Sequence, residues 1–389
     1  MIKKLSLISL VASACLLSNV QAEDTLKEAF QNGKVKGEIR SYFFQEDYDT
    51  AGRSSNLHFG GFLNYETAGF YGLNAGATFQ VSSVGDISGD KTVFTSDEDA
   101  SGSVMSEAFV TYSRANTSVK AGRQFIGTPL LAGSGSRMVR QAFQGYTLVN
   151  SDIPDTKVIA AYVDRFQKRT DGAGSPGKFT KSFNTNGALD AVTLEDGAYT
   201  IYAENKSITN LTAQLQYLNA VNFFKTYYAD ATYNVGTKAN VAVTGQYIGT
   251  DYNSATTSGN FYAARVASSY ESFNVKLSAS TNSSNGDVES GLGYGADTAL
   301  TGSEIYGGYH AYRQDAKAYQ VNLGTKIADV SLNLIHSSYN LLNETDKKET
   351  DLVVSYDIIE NLNLNLLHAN FQGEATKNYE TRIKLTYKF

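Results

Sequence analysis

Charged side chains in this chain recur at alternate positions within short apolar stretches. Glu38 and Arg40 alternate with Ile39 and Ser41, and Glu380, Arg382 and Lys384 alternate with Thr381, Ile383 and Leu385. On extended backbone such spacing gathers the charges on one face and their apolar neighbours on the other. The bases Arg265, Lys276 and Lys326 and the acids Glu107, Glu204, Asp230 and Asp351 fall on faces of the same kind. Lines of fixed charge on a wet wall steer and sort ions by field and size. They do not break bonds, which requires a nucleophile beside a base. His58 and His310 lack a partner pattern, and His336 and His368 end apolar runs. Cys15 is the single cysteine and lies near the amino terminus, so the rest of the chain has no disulfide and no thiolate site. No cofactor and no metal are expected.

The elements that must position these charges are strands. Val35, Gly37, Ile39 and Phe43 alternate with Lys36, Glu38, Arg40 and Tyr42; Phe273, Val275, Leu277 and Ala279 alternate with Asn274, Lys276, Ser278 and Ser280; Leu362, Leu364 and Leu366 alternate with Asn361, Asn363 and Asn365. The period is two throughout, where a helix needs apolar positions three and four apart. Segments of this kind begin near 34, 55, 70, 104, 117, 142, 156, 198, 210, 223, 239, 261, 273, 318, 330, 349, 361 and 378. That predicts an all-β protein, a transmembrane antiparallel up-and-down β-barrel of 18 strands, with 16 as the alternative count. Connections after even-numbered strands are short, and most of those after odd-numbered strands are long, as in barrels with short periplasmic turns and longer outer loops. Tyr65, Tyr112, Tyr233, Tyr270 and Tyr356 close even strands and suit an interfacial girdle. Charges on the lipid face would cost about 2 to 4 kcal/mol each near the midplane, so the alternating charges belong to the lumen.

Composition agrees. Three prolines stand against 34 glycines, 26 tyrosines and 20 phenylalanines, which suits one large sheet. No run beyond the first residues approaches the ~20 apolar residues of a membrane helix. Lys3 and Lys4, the uncharged stretch Leu5 to Leu17 and the exit Val20-Gln21-Ala22 predict a secretory signal over 1–22; the rival is a lipoprotein box at Ala12-Ser13-Ala14-Cys15. A short periplasmic segment, 23–33, and one barrel domain, 34–389, complete the expected organisation. With Lys+Arg 33 against Asp+Glu 39 and a net charge of −6, nucleic-acid binding is not expected. The last segment carries Tyr379, Thr381, Ile383, Leu385, Tyr387 and Phe389 on one face, and a strand ending in phenylalanine looks like the signal read by outer-membrane assembly machinery.

Two stretches resemble the OprD family of outer-membrane porins. One is Gly37-Glu38-Ile39-Arg40-Ser41-Tyr42-Phe43-Phe44, similar to that family's opening strand. The other runs from Gly122-Arg123-Gln124 through Thr128-Pro129-Leu130-Leu131 and Ser136-Arg137-Met138-Val139 to Phe143-Gln144-Gly145, similar to its third loop. The family usually has an acid shortly before the loop arginine and a proline after it; here Gly135-Ser136 precede Arg137 and Arg140-Gln141 follow it. The resemblance implies an 18-stranded channel for small hydrophilic solutes, carboxylates or amino-acid-like molecules, narrowed by an inward loop at about 126–141. It also implies that Arg137, assisted by Arg140, stands at the constriction. Arg40, Arg382 and Lys384 become candidates for a basic ladder, at similar depth on one wall; the alternative is that they pair with Glu38 and Glu380 and only solvate the lumen. Arg265 and Lys276 are further bases of the pathway. The loop from Ser283 to Lys317 is the expected opposing surface, with Asp297, Glu304 and Asp315 as acids and Tyr306, Tyr309 and Tyr312 as apolar edges. Lipid and lipopolysaccharide are the expected surroundings of a barrel that is a monomer or a trimer. A surface adhesin or other structural protein is the rival function, and a barrel hydrolase a weaker one.

Overall fold

The computed structural model describes residues 23–48, 52–86, 100–187, 189–236, 238–254, 257–373 and 379–389. The expected signal over 1–22 lies outside the described residues. Eighteen long strands form one closed ring: β1 (Lys34–Tyr48), β2 (Gly52–Glu66), β3 (Leu73–Asp86), β4 (Gly102–Arg114), β5 (Thr117–Gln124), β6 (Ala142–Asn150), β7 (Thr156–Gln167), β8 (Ala198–Asn205), β9 (Leu211–Ala220), β10 (Phe224–Asn234), β11 (Ala242–Tyr252), β12 (Ser258–Tyr270), β13 (Phe273–Asn282), β14 (Lys317–Ile327), β15 (Val330–Asn340), β16 (Lys347–Ile359), β17 (Leu362–Gln372) and β18 (Tyr379–Lys388). Each begins within three residues of its expected position. Successive strands pair antiparallel, and β1 pairs with β18 from Glu38↔Lys388 to Asp47↔Tyr379, which closes the ring. Closure removes the sheet edges, so every strand has a neighbour on both sides.

Burial runs inside out. In β14 the outward Tyr319, Val321 and Leu323 are exposed, while the inward Ala318, Gln320 and Asn322 are buried. The same inversion puts Ile39, Leu63, Ile201, Leu215 and Phe273 on the outside and Glu38, Asn64, Thr200, Gln216 and Ser278 within. Such a surface is stable only where hydrocarbon, not water, meets the outer face. Tyr112, Tyr233, Tyr270 and Tyr356 point outwards beside the short turns. Tyr65 turns instead onto the helix α1 (Leu26–Gln31), stacking 6.5 Å from Phe30 and donating its hydroxyl to the Phe30 carbonyl. That helix starts with a capping box, Thr25 and Glu28 satisfying each other's backbone N–H groups.

The short turns are tight enough to force backbone strain. Ala115, Glu271 and Ala328 open two-residue connections at φ 49, 51 and 51, the left-handed region that disfavours a Cβ. At the opposite end three long connections fold into the ring: L3 (residues 125–141), L4 (168–197) and L7 (283–316). They bring with them the molecule's apolar core. Leu130 and Leu131 of L3, Phe183 and Leu194 of L4, and Leu292 and Tyr312 of L7 are almost wholly buried against Phe143, Phe166, Phe224 and Phe261 of the wall. L4, a long connection after an odd-numbered strand, folds inward rather than outward, carried by Phe183, which lies 5.5 Å from Phe166 and 6.4 Å from Phe143.

Candidate functional site

Glycine and glutamine set the loops inside the ring. L7 reaches L3 as backbone against backbone: Leu292 N donates to Leu130 O, Ala132 N to Leu292 O and Gly295 N to Ala132 O, at 3.0, 3.1 and 3.0 Å. A Cβ on Gly291 would stand 2.2 Å from Leu130 O, and one on Gly293 2.3 Å from Ala132 O; both residues also have positive φ. Only glycine permits that approach. Gln141 joins all three loops, its Oε1 accepting from Ser134 N at 3.1 Å and Tyr294 N at 3.0 Å while Nε2 donates to Asn184 at 3.1 Å. Gln216 of β9 accepts from Leu130 N at 2.9 Å and donates to Thr128 at 2.8 Å, and Gln80 of β3 holds both backbone polar atoms of Arg140. Buried amides are suited to this because each offers a donor and an acceptor to backbone that has no partner of its own.

Below the loops lies a cavity of about 1920 Å³ that runs from the short-turn rim, past Lys36, Asn64, Asn74 and Lys120, to the underside of L3 and L7. Four of the seven candidate bases line it. Arg140 stacks 4.3 Å over Phe125, and no acid among the described residues stands within ion-pair distance of it. Burial lowers its pKa, while Glu107 and Glu38 act in the opposite sense. Lys276 also reaches the cavity with no ion-pair partner among the described residues. Arg40 lines the cavity but is paired with Glu38 at 2.5 Å and donates to Arg137 O at 3.2 Å. Arg265 donates to Ser278 at 2.8 Å and to the Leu300 carbonyl of L7.

The other three bases gather where the tip of L3 meets the seam between β1 and β18. Arg137 stacks 5.1 Å over Phe44, beside Met138 and a small cavity that includes His58 and Ser82; Arg382 lies 5.8 Å over the same ring and is paired with Glu380. Lys384 stands 5.0 Å over Tyr42 and donates to Ser136 O at 2.8 Å. Both alternatives for the ladder therefore have a geometric counterpart, a file of cations and two ion pairs. One expectation needs correction. Arg40 faces Thr386, whereas Arg382 faces Phe44, so the two arginines stand four residues apart along the wall, about 13 Å at strand rise. The stagger of a closing barrel is the reason: Lys388 meets Glu38 rather than Lys34.

L7 does face L3, as expected, and two of its three named acids, Asp297 and Glu304, line the cavity. Asp297 is spent inside the loop, accepting from Gly308 N at 2.8 Å and Tyr312 Oη at 3.1 Å, and burial pushes its carboxyl up. Asp315 sits at the loop's end, beside Ser283. Glu304 lines the cavity. Of the tyrosines, Tyr312 is core, Tyr306 packs 5.0 Å from Phe371, and Tyr309 is exposed. Two anchors escaped the sequence reading in their role: Glu349 accepts from Ser303 Oγ, Ile305 N and Tyr306 N at 2.7, 2.8 and 2.9 Å, and Asp351 from Glu304 N at 3.1 Å. Asp351 was expected on the inner face, though not what it would hold; Glu349, two residues earlier on the same strand, carried no expectation.

The profile of the family described as "outer membrane porin, OprD family" matches residues 28–387. The chain belongs to that family. It is accordingly an outer-membrane β-barrel of a Gram-negative cell, with its short turns periplasmic and its long loops outward. No curated protein matches the sequence of this OprD-family chain. Solved structures similar to it include Pseudomonas aeruginosa OpdO (TM-score 0.78, 13% identity, covering 93% of this chain and 98% of that one) and Acinetobacter baumannii OccAB1 (0.77, 14%, 95% and 98%). A third is Pseudomonas aeruginosa OpdK with vanillate (0.75, 14%, 92% and 99%). At such identity the likeness concerns the fold alone.

Proposed function

We propose that this OprD-family barrel is a diffusion channel, without bond-making chemistry, that favours small solutes bearing a carboxylate. The observation that carries the reading is Arg140: a guanidinium at the underside of the L3–L7 junction, held in place through its backbone by Gln80, with no ion-pair partner among the described residues. A cation without a contact ion pair in a confined lumen attracts a passing anion more strongly than the same cation in bulk water. Lys276, Arg265 and Arg40 add positive charge along the path that leads to it. Lys384 and Arg137 act mainly by holding the L3 tip to the seam, and Arg382 adds to the field from behind it. OpdK, a barrel of the same fold, was crystallised with vanillate, a solute of the carboxylate class proposed for this channel. The barrel works as a single pore whether it is a monomer or a trimer, in contact with lipid and lipopolysaccharide, and Phe389 serves its delivery to the assembly machinery.

The reversal potential of single channels under a KCl gradient tests the proposal. Arg140→Ala should lose about two- to fivefold in the permeability ratio of chloride to potassium, the range expected for removing one charge from a partly screened pore. Arg137→Ala should change the ratio less and the conductance more, because it loosens L3. An Arg140→Ala channel with the wild-type ratio would reject the proposal, and folded protein that never conducts would favour an adhesin.

A further inference from the structure

Two acids of L7, Asp297 and Glu304, line the same cavity as the bases; the Asp297 carboxylate is tied within the loop by Gly308 N and Tyr312 Oη, whereas the place of Glu304 is fixed through its backbone by other groups. Its backbone N–H is pinned to Asp351 of β16 at 3.1 Å, and the residues on either side are held by Glu349. Asp351 belongs to an inward row of directly facing residues, Lys276–Asn322–Ile335–Asp351–Ala369–Glu380, that crosses β13 to β18. Glu304 therefore hangs from the middle of a wall whose one flank carries Lys276 and whose other carries Arg382 and, two residues on, Lys384. No salt bridge ties its carboxylate to any of these cations, although all three act on it electrostatically. A carboxylate placed among cations without contact reduces their field on anything else that passes. It is a tethered counterpart of the solute's own carboxylate.

Resting on the carboxylate-selective lumen proposed above, we infer that Glu304 sets how strongly the basic wall draws anions: charged, it offsets Lys276 and the field that Arg382 and Lys384 add from behind the lumen, and neutral, it leaves that field to act on the solute. The groups that face it are Glu349 and Asp351 from β16, Lys276 from β13, and Arg382 and Lys384 from β18. Burial and the nearby Glu349 raise its pKa above the ordinary glutamate range, with the three cations opposing. A raised pKa means that Glu304 takes up its proton at a higher pH than free glutamate does. Anion preference then rises as pH falls through that range.

The test is the chloride-to-potassium permeability ratio of wild type, Glu304→Gln and Arg140→Ala in planar bilayers at pH 7.5 and pH 5, each variant first checked for heat-modifiable migration as a folded barrel. Glu304→Gln keeps the backbone N–H that Asp351 holds. It should raise the ratio about twofold or more at pH 7.5, from the Coulomb energy of one charge at nanometre range in a wet pore. Wild type should approach the variant at pH 5, and the variant should lack that pH-dependent step. Should Glu304→Gln fail to fold, Glu304→Ser gives the same readout. If Arg140→Ala lowers the ratio while Glu304→Gln leaves it and its pH dependence at wild-type values, this inference falls and the channel proposal stands. If neither variant moves the ratio, the carboxylate-selective lumen itself falls.

Discussion

Arg137 and Arg140 stand three residues apart on one loop and do different work, because the backbone between them turns one guanidinium onto Phe44 at the seam and the other over Phe125 into the lumen. Spacing alone did not separate them. The sequence placed both in an inward loop through a resemblance, but which arginine meets the lumen depends on Gln80 and Gln167 gripping the Arg140 carbonyl, at 3.0 and 3.2 Å, from strands far off in sequence. Parity within strands was a safer guide: Glu38, Glu107, Asp230, Arg265 and Lys276 were all expected inside and all line the cavity. Strain at single residues yields a further prediction. Ala328 begins its turn at φ 51, where a Cβ costs about 1 kcal/mol, so Ala328→Gly should stabilise the folded barrel by about 0.5 to 1 kcal/mol. Reversible urea unfolding in lipid vesicles measures this; an unchanged or lower midpoint would mean that the turn is not strained in the bilayer.

At the scale of elements, the strands were legible because the environment reads them one face at a time. Lipid selects every second residue and water the others, so the period of two runs through the strands, broken only by single-residue register shifts in β4, β7 and β16, and the starts fell within three residues. Loops carry no such period. The inward fold of L4 had a faint signal in Phe183, Val192 and Leu194, apolar residues in an otherwise polar stretch, and the docking of L7 had one in Gly291 and Gly293, which flank Leu292. Neither signal names its partner: Phe183 meets Phe143 and Phe166 of the wall, and Leu292 meets Leu130 in a loop more than a hundred positions away. Gly293→Ala tests the docking: a Cβ there would press on Ala132 O and the Phe143 ring. L7 should lift from L3, giving a larger and noisier single-channel conductance with the barrel still folded; conductance equal to wild type would show that the glycine contact does not set the constriction.

For the molecule as a whole, the decisive number was the strand count, because an even ring brings both chain ends to one rim and the long loops to the other. What the strand pattern could not supply was the stagger at closure: pairing Glu38 with Lys388 shifted Arg40 away from Arg382 by four residues. Closure also carries the functional account, since polar groups such as Glu38, Gln80, Gln246 and Asn322 can be buried together only around a lumen that holds water. Swelling of proteoliposomes made with purified wild-type protein tests that claim most directly. Vesicles should admit a small monocarboxylate, and admit it faster than a neutral solute of equal size; vesicles as tight as protein-free controls would contradict a water-filled ring, and equal rates for the two solutes would contradict the basic wall.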